Sequence, residues 1–422
     1  MLDLFEKAKN SFLCNTSYPL DKSNFDQYKV NNSLVFDEDK LCLYIHIPFC
    51  NRLCYFCEYI KFIKDSNLEK QYLDILEKDI NSFLDNHKFT LYGFDIGGGT
   101  PTCLDIDNFK RLMSLAKRIN NLNKVDDYEP SIEGTFNTVT KEKLDLIHEA
   151  GFNRISLGIQ TTNTKILNSQ NRNIVSLNDM KKTFKMIREA GIQKINVDFM
   201  YGMKNQTEDD LYNSLECIKE LKPNQVTLYE MRYNMVNQKI DLTKEDLYIQ
   251  YSIIYNELIK LGYNGRFSCN TFSLSDDLGL SSYLRYRMIN NISYKGFGIS
   301  AQSKTNKGIS YNIGKNKESF NECIKEGTFI EKDCYLLPKE ELVAKYVMIS
   351  LYFGMIDLNI ITNILEEDAN NYYKEELEFL VNNKYIEVID NKCYLTREGF
   401  KYYGAVGSLF YSKNVKEYFM GV

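Results

Sequence analysis

The segment Tyr44-Ile-His-Ile-Pro-Phe-Cys50-Asn-Arg-Leu-Cys54-Tyr-Phe-Cys57 places three cysteines at C-x3-C-x2-C spacing, directly after an apolar, β-prone stretch. A loop of this shape can hold three irons of a [4Fe–4S] cluster through its thiolates. The fourth iron then has no protein ligand and is open to a small molecule, whereas structural metal sites usually close every position. The spacing therefore indicates chemistry at an open iron rather than a scaffolding role.

Other arrangements of these thiols agree less well with the sequence. A zinc site normally needs four nitrogen or sulfur ligands, commonly from two Cys-x2-Cys pairs, and no second pair occurs here. The chain contains only three His. A disulfide would leave one thiol over, and a set of three structural thiols would have to arise by chance. The cluster interpretation is therefore preferred.

Composition excludes several classes of protein. The chain has 422 residues, of which 44% are apolar, so we expect two to three domains or one large α/β domain with appendages. The net charge of −5 gives no broad basic surface, so we expect no nucleic-acid partner. The eleven Cys form only one cluster, which fits a reducing cytoplasm. No signal-peptide pattern or stretch of 18 uncharged apolar residues is present, so we expect no membrane span.

Short β-branched or aromatic runs alternate with helical patterns from about residue 40 to 232. The predicted strands are Leu41–Ile47, Leu91–Ile96, Ser131–Glu133, Arg154–Ile159, Lys194–Met200 and Gln225–Met231. Helical patterns fill the five intervals between them, near 67–85, 106–119, 140–150, 175–190 and 207–221. Repeated βα units of this kind predict a parallel sheet and an α/β fold.

Unusual residues follow the predicted strands, where β/α barrels build their sites. The glycines of Gly97–Thr102 would let backbone amides approach a ligand, since no Cβ is in the way. Glu133 could accept a hydrogen bond from a ribose hydroxyl or an ammonium group, and the fork of Arg172 suits a carboxylate. Gln160 follows the fourth strand. Asp198 lies in an apolar strand, where a charge needs a partner or a ligand.

The remaining segments indicate four parts in the chain. Residues 1–40 read as a polar N-terminal arm, 41–235 as the core barrel, and 236–335 as a core extension with substrate-side loops. Residues 336–422 predict helices and a two-stranded ribbon turned at Asp390-Asn391, which is typical of a small, mostly helical, winged-helix-like domain. Because this segment is not strongly basic, we expect it to pack or to act as a lid rather than to bind DNA.

An open iron can chelate an amino acid through its amino and carboxylate groups. S-adenosylmethionine has such a head, and its sulfonium would then lie beside a reductant. One electron from the reduced cluster can break the C–S bond and release a 5′-deoxyadenosyl radical. The protein must position this cofactor and exclude water and stray hydrogen donors.

These motifs together resemble the radical S-adenosylmethionine superfamily and, within it, the oxygen-independent coproporphyrinogen III oxidase family. The resemblance covers nearly the whole chain. Its motifs are Thr16–Pro19, Ile45–Cys50 with Cys54–Cys57, Gly97–Thr102, Gly151–Gln160, Asn171-Arg172, Asn196–Gly202 with Gln206-Thr207, and Leu395–Gly399.

The resemblance implies a partial (β/α)6 barrel of the TIM type, a [4Fe–4S] cluster and one or two S-adenosylmethionines. Carried over by position, Cys50, Cys54 and Cys57 ligate the metal, with no catalytic residue beyond the cluster. The implied cofactor-binding residues are Tyr44, Phe56, Gly98, Gly99, Thr100, Glu133, Gln160, Arg172 and Asp198. Arg232 follows the last barrel strand and is the best candidate for a substrate carboxylate among Arg232, Arg266, Arg285 and Arg287. The implied partners are a small-molecule tetrapyrrole substrate and a flavodoxin- or ferredoxin-type electron donor, with the chain a cytoplasmic monomer.

Three functions stay open within this resemblance. The first is oxidative decarboxylation of the propionates of coproporphyrinogen III to vinyl groups. The second is a radical methyltransferase, including the haem-degrading type, because Tyr59 stands where the oxidases have a further Cys. The third is a haem chaperone on the same fold, although about 40 residues precede the cluster loop and few His are available.

Overall fold

The computed structural model describes residues 1–12, 18–233, 236, 238–239, 242–313, 316–329 and 331–421. Thr16 and Ser17 of the N-terminal motif lie outside these ranges, as does residue 235 at the expected domain boundary. No helix within these ranges is long and apolar enough to cross a membrane.

Six parallel strands, neighbours in chain order, form the barrel wall. They are Lys40–Ile47, Thr90–Gly98, Ser131–Gly134, Arg154–Gln160, Lys194–Tyr201 and Gln225–Glu230. The main helices between and after them are Ser66–Asn86, Ile106–Asn120, Lys141–Glu149, Leu177–Glu189, Glu208–Leu221 and Lys244–Lys260, with the short Thr164–Ser169 before the fourth. The predicted α/β barrel is therefore present, with strand bounds close to those expected.

Side chains along each strand point alternately to the hydrophobic core and to the interior of the barrel. In the fifth strand, Ile195, Val197 and Phe199 are buried in the main hydrophobic core. The intervening Asp198 and Met200 line a cavity inside the barrel. Successive side chains of a strand point to opposite faces, so a strand with one apolar face presents its polar residues inward.

The sheet continues beyond the barrel on both sides, which the sequence did not indicate. Thr271–Ser273 pairs with the sixth strand, and Tyr294–Phe297 pairs in parallel with the first. Four further antiparallel strands follow the latter, in the order Gln302–Lys304, Gly308–Asn312, Glu331–Leu336 and Lys29–Val30. Most of these strands have only two to five residues, too few for a period-two pattern to stand out.

The C-terminal part contains the helices and ribbon expected there, with one strand more. Its helices are Lys339–Leu351, Leu358–Leu365, Ala369–Tyr372, Lys374–Asn382, Arg397–Lys401, Tyr403–Ser408 and Lys413–Met420. The predicted ribbon is Ile386–Ile389 with Lys392–Leu395, and Met355–Asp357 adds a third strand. The turn at Asp390 and Asn391 has φ values of 50° and 58°, as a tight two-residue hairpin requires.

The N-terminal segment, predicted as a polar arm, packs on the C-terminal domain through an apolar helix face. Its helix Leu2–Lys9 buries Leu4, Phe5 and Ala8 in the same hydrophobic core as the C-terminal helices. The Phe5 ring lies 5.2 Å from that of Phe379. Spacing at i and i+4 places Leu4 and Ala8 on one helix face. This apolar pattern is short and lies in a mostly polar segment, so the sequence did not reveal the packing face.

Candidate functional site

The carboxyl ends of the barrel strands open into a cavity of about 660 Å³. This volume is in the usual range for a small-molecule site. Most of the predicted site residues line it, namely Cys50, Cys54, Phe56, Cys57, Gly99, Thr100, Glu133, Gln160, Arg172, Asp198 and Arg232. Residues within or just after five barrel strands, on the cysteine loop and on the segment after Thr164–Ser169 are thus brought to one place.

The three cysteines lie on a loop whose two ends are joined by a small parallel ladder. Phe49–Cys50 pairs with Phe62–Ile63, and the amide of Lys64 donates to the Cys50 carbonyl at 3.0 Å. The loop is also tied to the segment after the fourth strand, since the side-chain amide of Asn171 donates to the Leu53 carbonyl at 2.9 Å. This anchoring holds the thiols at the cavity.

Burial favours the protonated form of two of these thiols, Cys50 and Cys57, in the absence of metal. It raises the pKa of Cys50 to about 11 and raises that of Cys57, which Lys61 partly opposes. A bound cation reverses this preference, because coordinating thiols are deprotonated. Within the described residues no three His, Cys, Asp or Glu converge on a single metal ion. A cubane cluster does not need such convergence, because each cysteine binds a different iron.

The glycine-rich turn Gly97–Thr102 packs closely against the start of the cysteine loop. The Gly99 amide donates to the Ile47 carbonyl and the Thr100 amide to the Phe49 carbonyl, both at 2.8 Å. A Cβ on Gly99 would lie 2.6 Å from the Phe49 carbonyl oxygen and 3.0 Å from the Cys50 Sγ. The expectation that these amides face a ligand is therefore wrong for Gly99 and Thr100. Their amides instead tie the turn to the cysteine loop.

Tyr44 and Gly98 do not line the cavity. Tyr44 stacks on Tyr283 with ring centroids 5.6 Å apart. Gly98 has φ +113°, and its amide donates to the Glu133 Oε2 at 3.1 Å. A Cβ there would lie 2.5 Å from the His46 ring, whose Nε2 lies 3.1 Å from the Ile60 carbonyl oxygen. Burial lowers the pKa of His46 to about 4, so the neutral ring supports the cysteine loop.

Two predicted carboxylates lie on the third and fifth barrel strands, with one strand between them. Glu133 is open to the cavity, but it lies deep inside the barrel, and this burial, with the neighbouring charge of Asp198, raises its pKa to about 8. Asp198 accepts hydrogen bonds from Asn196 Nδ2 at 2.9 Å and Ser156 Oγ at 3.2 Å, and burial raises its pKa too. Both groups are therefore poised to take a cationic ligand, which would favour their charged forms.

Arg172 and Gln160 form the wall next to the thiols. The Arg172 Nη1 donates to the Cys54 Sγ at 3.7 Å and its Nη2 to the Gly158 carbonyl at 2.5 Å, while the guanidinium lies 5.7 Å from the Phe56 ring centroid. Gln160 has φ +70° at the strand end, and its buried Oε1 has no hydrogen-bond partner in the part of the chain that the structure describes. An unpartnered buried acceptor of this kind points to a ligand donor.

Arg232, the predicted substrate anchor, already has a partner. Its Nη1 donates to the Glu58 Oε1 at 3.2 Å, and its guanidinium lies 5.5 Å from the Tyr352 ring centroid. The pair lines the cavity where the barrel meets the C-terminal domain. A substrate carboxylate would therefore have to compete with Glu58.

Two charged residues at the bottom of the barrel were missed. Burial raises the pKa of Asp95 to about 7, and this side chain accepts from the Ser281 hydroxyl at 2.7 Å. Arg154 donates to Gln225 at 2.8 Å and to Ser131 at 2.7 Å, and its charge counters those of the carboxylates above it. Asp95 interrupts the apolar Phe94-Asp-Ile96, which is the signal that singled out Asp198.

Comparison with known proteins agrees with this geometry. Residues 44–218 match the model of the Radical SAM superfamily. The heme chaperone HemW of Bacillus subtilis is 28% identical over 319 residues, which cover 73% of this chain and 82% of that protein. The oxygen-independent coproporphyrinogen III oxidase of Salmonella typhimurium is 26% identical over 371 residues, which cover 82% of this chain and 79% of that protein.

The fold has a counterpart among solved structures. The coproporphyrinogen III oxidase HemN from Escherichia coli, described as a radical SAM enzyme, matches with a TM-score of 0.71 and 24% identity over 89% of this chain and 91% of that one. The resemblance to the radical SAM superfamily and the predicted fold class are therefore confirmed. The relatives carry the names of both an oxidase and a chaperone.

Proposed function

We propose that this radical SAM protein binds a [4Fe–4S] cluster and S-adenosylmethionine, and oxidatively decarboxylates propionates of coproporphyrinogen III to vinyl groups. The observation that carries the proposal is that Cys50, Cys54 and Cys57 share one cavity with seven of the nine candidate cofactor residues. The reductant is a flavodoxin- or ferredoxin-type protein, and the chain works as a cytoplasmic monomer.

The donor set fits the cluster. Three thiols, with no fourth cysteine among the described residues that line the cavity, leave one iron for the cofactor, and when bound the cluster would supply the electron that breaks the C–S bond of S-adenosylmethionine. The chain positions the thiols and limits their contact with water: Cys50 is buried, Cys57 is half-buried, and Arg172 donates to the Cys54 Sγ.

The cofactor residues divide by charge. Arg172 would bind the carboxylate of S-adenosylmethionine, because its planar fork matches that group. Glu133 and Asp198 would accept hydrogen bonds from the amino group or from a ribose hydroxyl, and the free Oε1 of Gln160 is an acceptor for one more donor. Tyr44 and Gly98 would act through His46 and Glu133 rather than by touching the cofactor.

A haem chaperone is the second candidate, favoured by the similarity to HemW. The described histidines offer little for an axial haem ligand. His46 is buried against Ile60, and His87 stacks on Phe83 with centroids 4.1 Å apart. A radical methyltransferase remains the third candidate, since Tyr59 at the cavity replaces the further Cys of the oxidases.

One assay separates the three functions. Anaerobically reconstituted, reduced protein is incubated with S-adenosylmethionine and either coproporphyrinogen III or haem, and products are analysed by mass spectrometry. We expect loss of two CO2 from coproporphyrinogen III, together with 5′-deoxyadenosine. A methylated linear tetrapyrrole with S-adenosylhomocysteine would indicate the methyltransferase instead, and haem binding without any of these products would indicate the chaperone.

Binding of S-adenosylmethionine should strengthen as the pH rises towards 8. The pKa of Glu133 is raised to about 8 in the free chain, so below that pH the group must lose a proton before it can pair with the cofactor's cationic end. The dissociation constant should therefore fall by up to about tenfold per pH unit between pH 6.5 and 8. Equilibrium dialysis at fixed ionic strength measures it.

Glu133→Gln is the matched variant, since it retains the shape and cannot titrate. It should bind more weakly at pH 8 and lose most of the pH dependence. A wild-type dissociation constant that does not change with pH, or an equal slope in the variant, would show that Glu133 does not bind the cofactor as a carboxylate.

A further inference from the structure

Two cationic side chains line the cavity where the C-terminal domain closes it. Arg287 lies in the short helical segment Arg285–Ile289, and Lys345 lies in the helix Lys339–Leu351, which packs against that segment. Lys345 is only 5% exposed. Neither residue belongs to the cysteine loop or to the cofactor set described above.

The contacts of both cations are with neutral groups. The Arg287 guanidinium lies 4.4 Å from the Tyr294 ring centroid and its Nη2 donates to the Gln302 Oε1 at 3.4 Å, while its buried Nε has no hydrogen-bond partner among the described residues. The Lys345 Nζ donates to the Tyr18 carbonyl at 3.4 Å. Both hydrogen bonds are long, and therefore weak, for the buried charge of Lys345 and the half-buried charge of Arg287.

Other arginines of this region are neutralised, and Arg287 is not. Arg232 pairs with Glu58, Arg266 with Glu387 and Arg285 with Asp127. Among the described residues no carboxylate lies within ion-pair distance of Arg287 or Lys345.

The one carboxylate near Lys345 on its own helix is engaged elsewhere. Glu341 stands one turn earlier, and its two oxygens accept hydrogen bonds from the hydroxyls of Tyr18 and Ser412.

The two charges also repel each other. Burial lowers the pKa of Lys345, and Arg287 lowers it further. A third cation, Lys304, feels both charges, and its Nζ donates to the Asn291 Oδ1 at 2.6 Å. Burial and the charges of Lys345 and Arg287 lower the pKa of Lys304 to about 7. Buried like charges without counter-ions are costly, and an anionic ligand would remove most of this cost.

We propose that Arg287 and Lys345 form a subsite for a carboxylate group of the substrate. Arg287 would take the carboxylate through its fork and Lys345 would neutralise it as a point charge. The inference rests on the proposed function for the identity of the molecule, which is a tetrapyrrole with carboxylate side chains. A second S-adenosylmethionine would bring the same chemical group, so the test includes both ligands.

The test measures binding to the anaerobically reconstituted protein, without turnover. The ligands are coproporphyrin III, followed by its fluorescence, its tetramethyl ester, and S-adenosylmethionine, followed by dialysis. The variants are Arg287→Gln and Lys345→Met. Arg285→Gln is the control, because Arg285 lies two residues from Arg287 but pairs with Asp127 and does not line the cavity.

We expect both variants to weaken coproporphyrin III binding by about ten- to a hundredfold, and the control to change it by less than about twofold. The ester should bind wild type poorly and be unaffected by Arg287→Gln. The ligand-free Lys345→Met variant should have a higher melting temperature than the wild-type protein, because a buried cation without a counter-ion is removed. A purely structural lysine would show the opposite shift.

The outcomes are distinguishable. Unchanged affinity of both variants for coproporphyrin III and for S-adenosylmethionine, or no carboxylate-dependent binding by wild type, would overturn the subsite. Loss of one bound S-adenosylmethionine with unchanged porphyrin affinity would assign the carboxylate to that cofactor. Arg287-dependent porphyrin binding without decarboxylation would leave the subsite standing and remove only the proposed reaction.

Discussion

Replacing Cys54 by alanine should abolish both cluster binding and S-adenosylmethionine cleavage. Anaerobic reconstitution of the wild-type chain should give about four irons and a brown chromophore, because three thiolates suffice to hold a cubane cluster. With only Cys50 and Cys57 left, two irons would lack protein ligands. Iron analysis, the absorbance of the chromophore and 5′-deoxyadenosine release after reduction measure the effect.

Cys103→Ala is the matched control for this variant. Cys103 is also buried beside the cysteine loop, where its thiol donates to the Phe49 carbonyl at 3.2 Å, but it does not line the cavity. It should keep its iron and its cleavage activity. Full iron content and full cleavage in Cys54→Ala would refute the cluster assignment, and zinc in place of iron in the wild type would do the same.

Replacing Gly99 by alanine should reduce S-adenosylmethionine cleavage by about a hundredfold, although the change adds one methyl group. The new Cβ would meet the carbonyl oxygens of Phe49 at 2.6 Å and Ile47 at 2.9 Å. These backbone atoms cannot swing away as a side chain would, and the amides of Gly99 and Thr100 hold the turn against them. The loop must therefore shift, and a displacement of about 1 Å at a reacting centre can cost a hundredfold in rate.

Gly327→Asn controls for glycine replacement as such. Gly327 ends the helix Lys317–Glu326 in the left-handed region, has no atom within 4 Å of its ideal Cβ position, and lies away from the cavity. Asparagine tolerates that conformation, so stability and cleavage should both stay near wild type. Gly99→Ala with wild-type cleavage rate and iron content would show that the turn does not set the position of the cysteine loop.

The local patterns of the chain were sufficient for the fold and for much of the site. Strand bounds followed from short apolar runs, since each strand buries one face or both. The C-x3-C-x2-C loop could be identified because its ligands are only seven residues apart. Asp198 and Glu133 were found because a charge within or directly after an apolar strand is unusual.

Contacts between distant segments could not be inferred in this way. The sequence favoured Arg232 over Arg287 as a substrate anchor because Arg232 follows a barrel strand. The structure pairs Arg232 with Glu58, 174 positions earlier in the chain, and leaves Arg287 without a carboxylate among the described residues. The packing of the N-terminal helix on the C-terminal domain is a second long-range contact that the sequence did not indicate.

Sequence alone determined the βα repeat, the thiol triad and the polar strand ends, because periodicity and close spacing are properties of neighbouring residues. Tertiary structure alone decided which charges are neutralised and that Lys345 reaches the cavity. It also decided that the amides of Gly99 and Thr100 donate hydrogen bonds to the start of the cysteine loop. Compensation of a charge depends on groups brought together by folding from far along the chain, and no local pattern records that pairing.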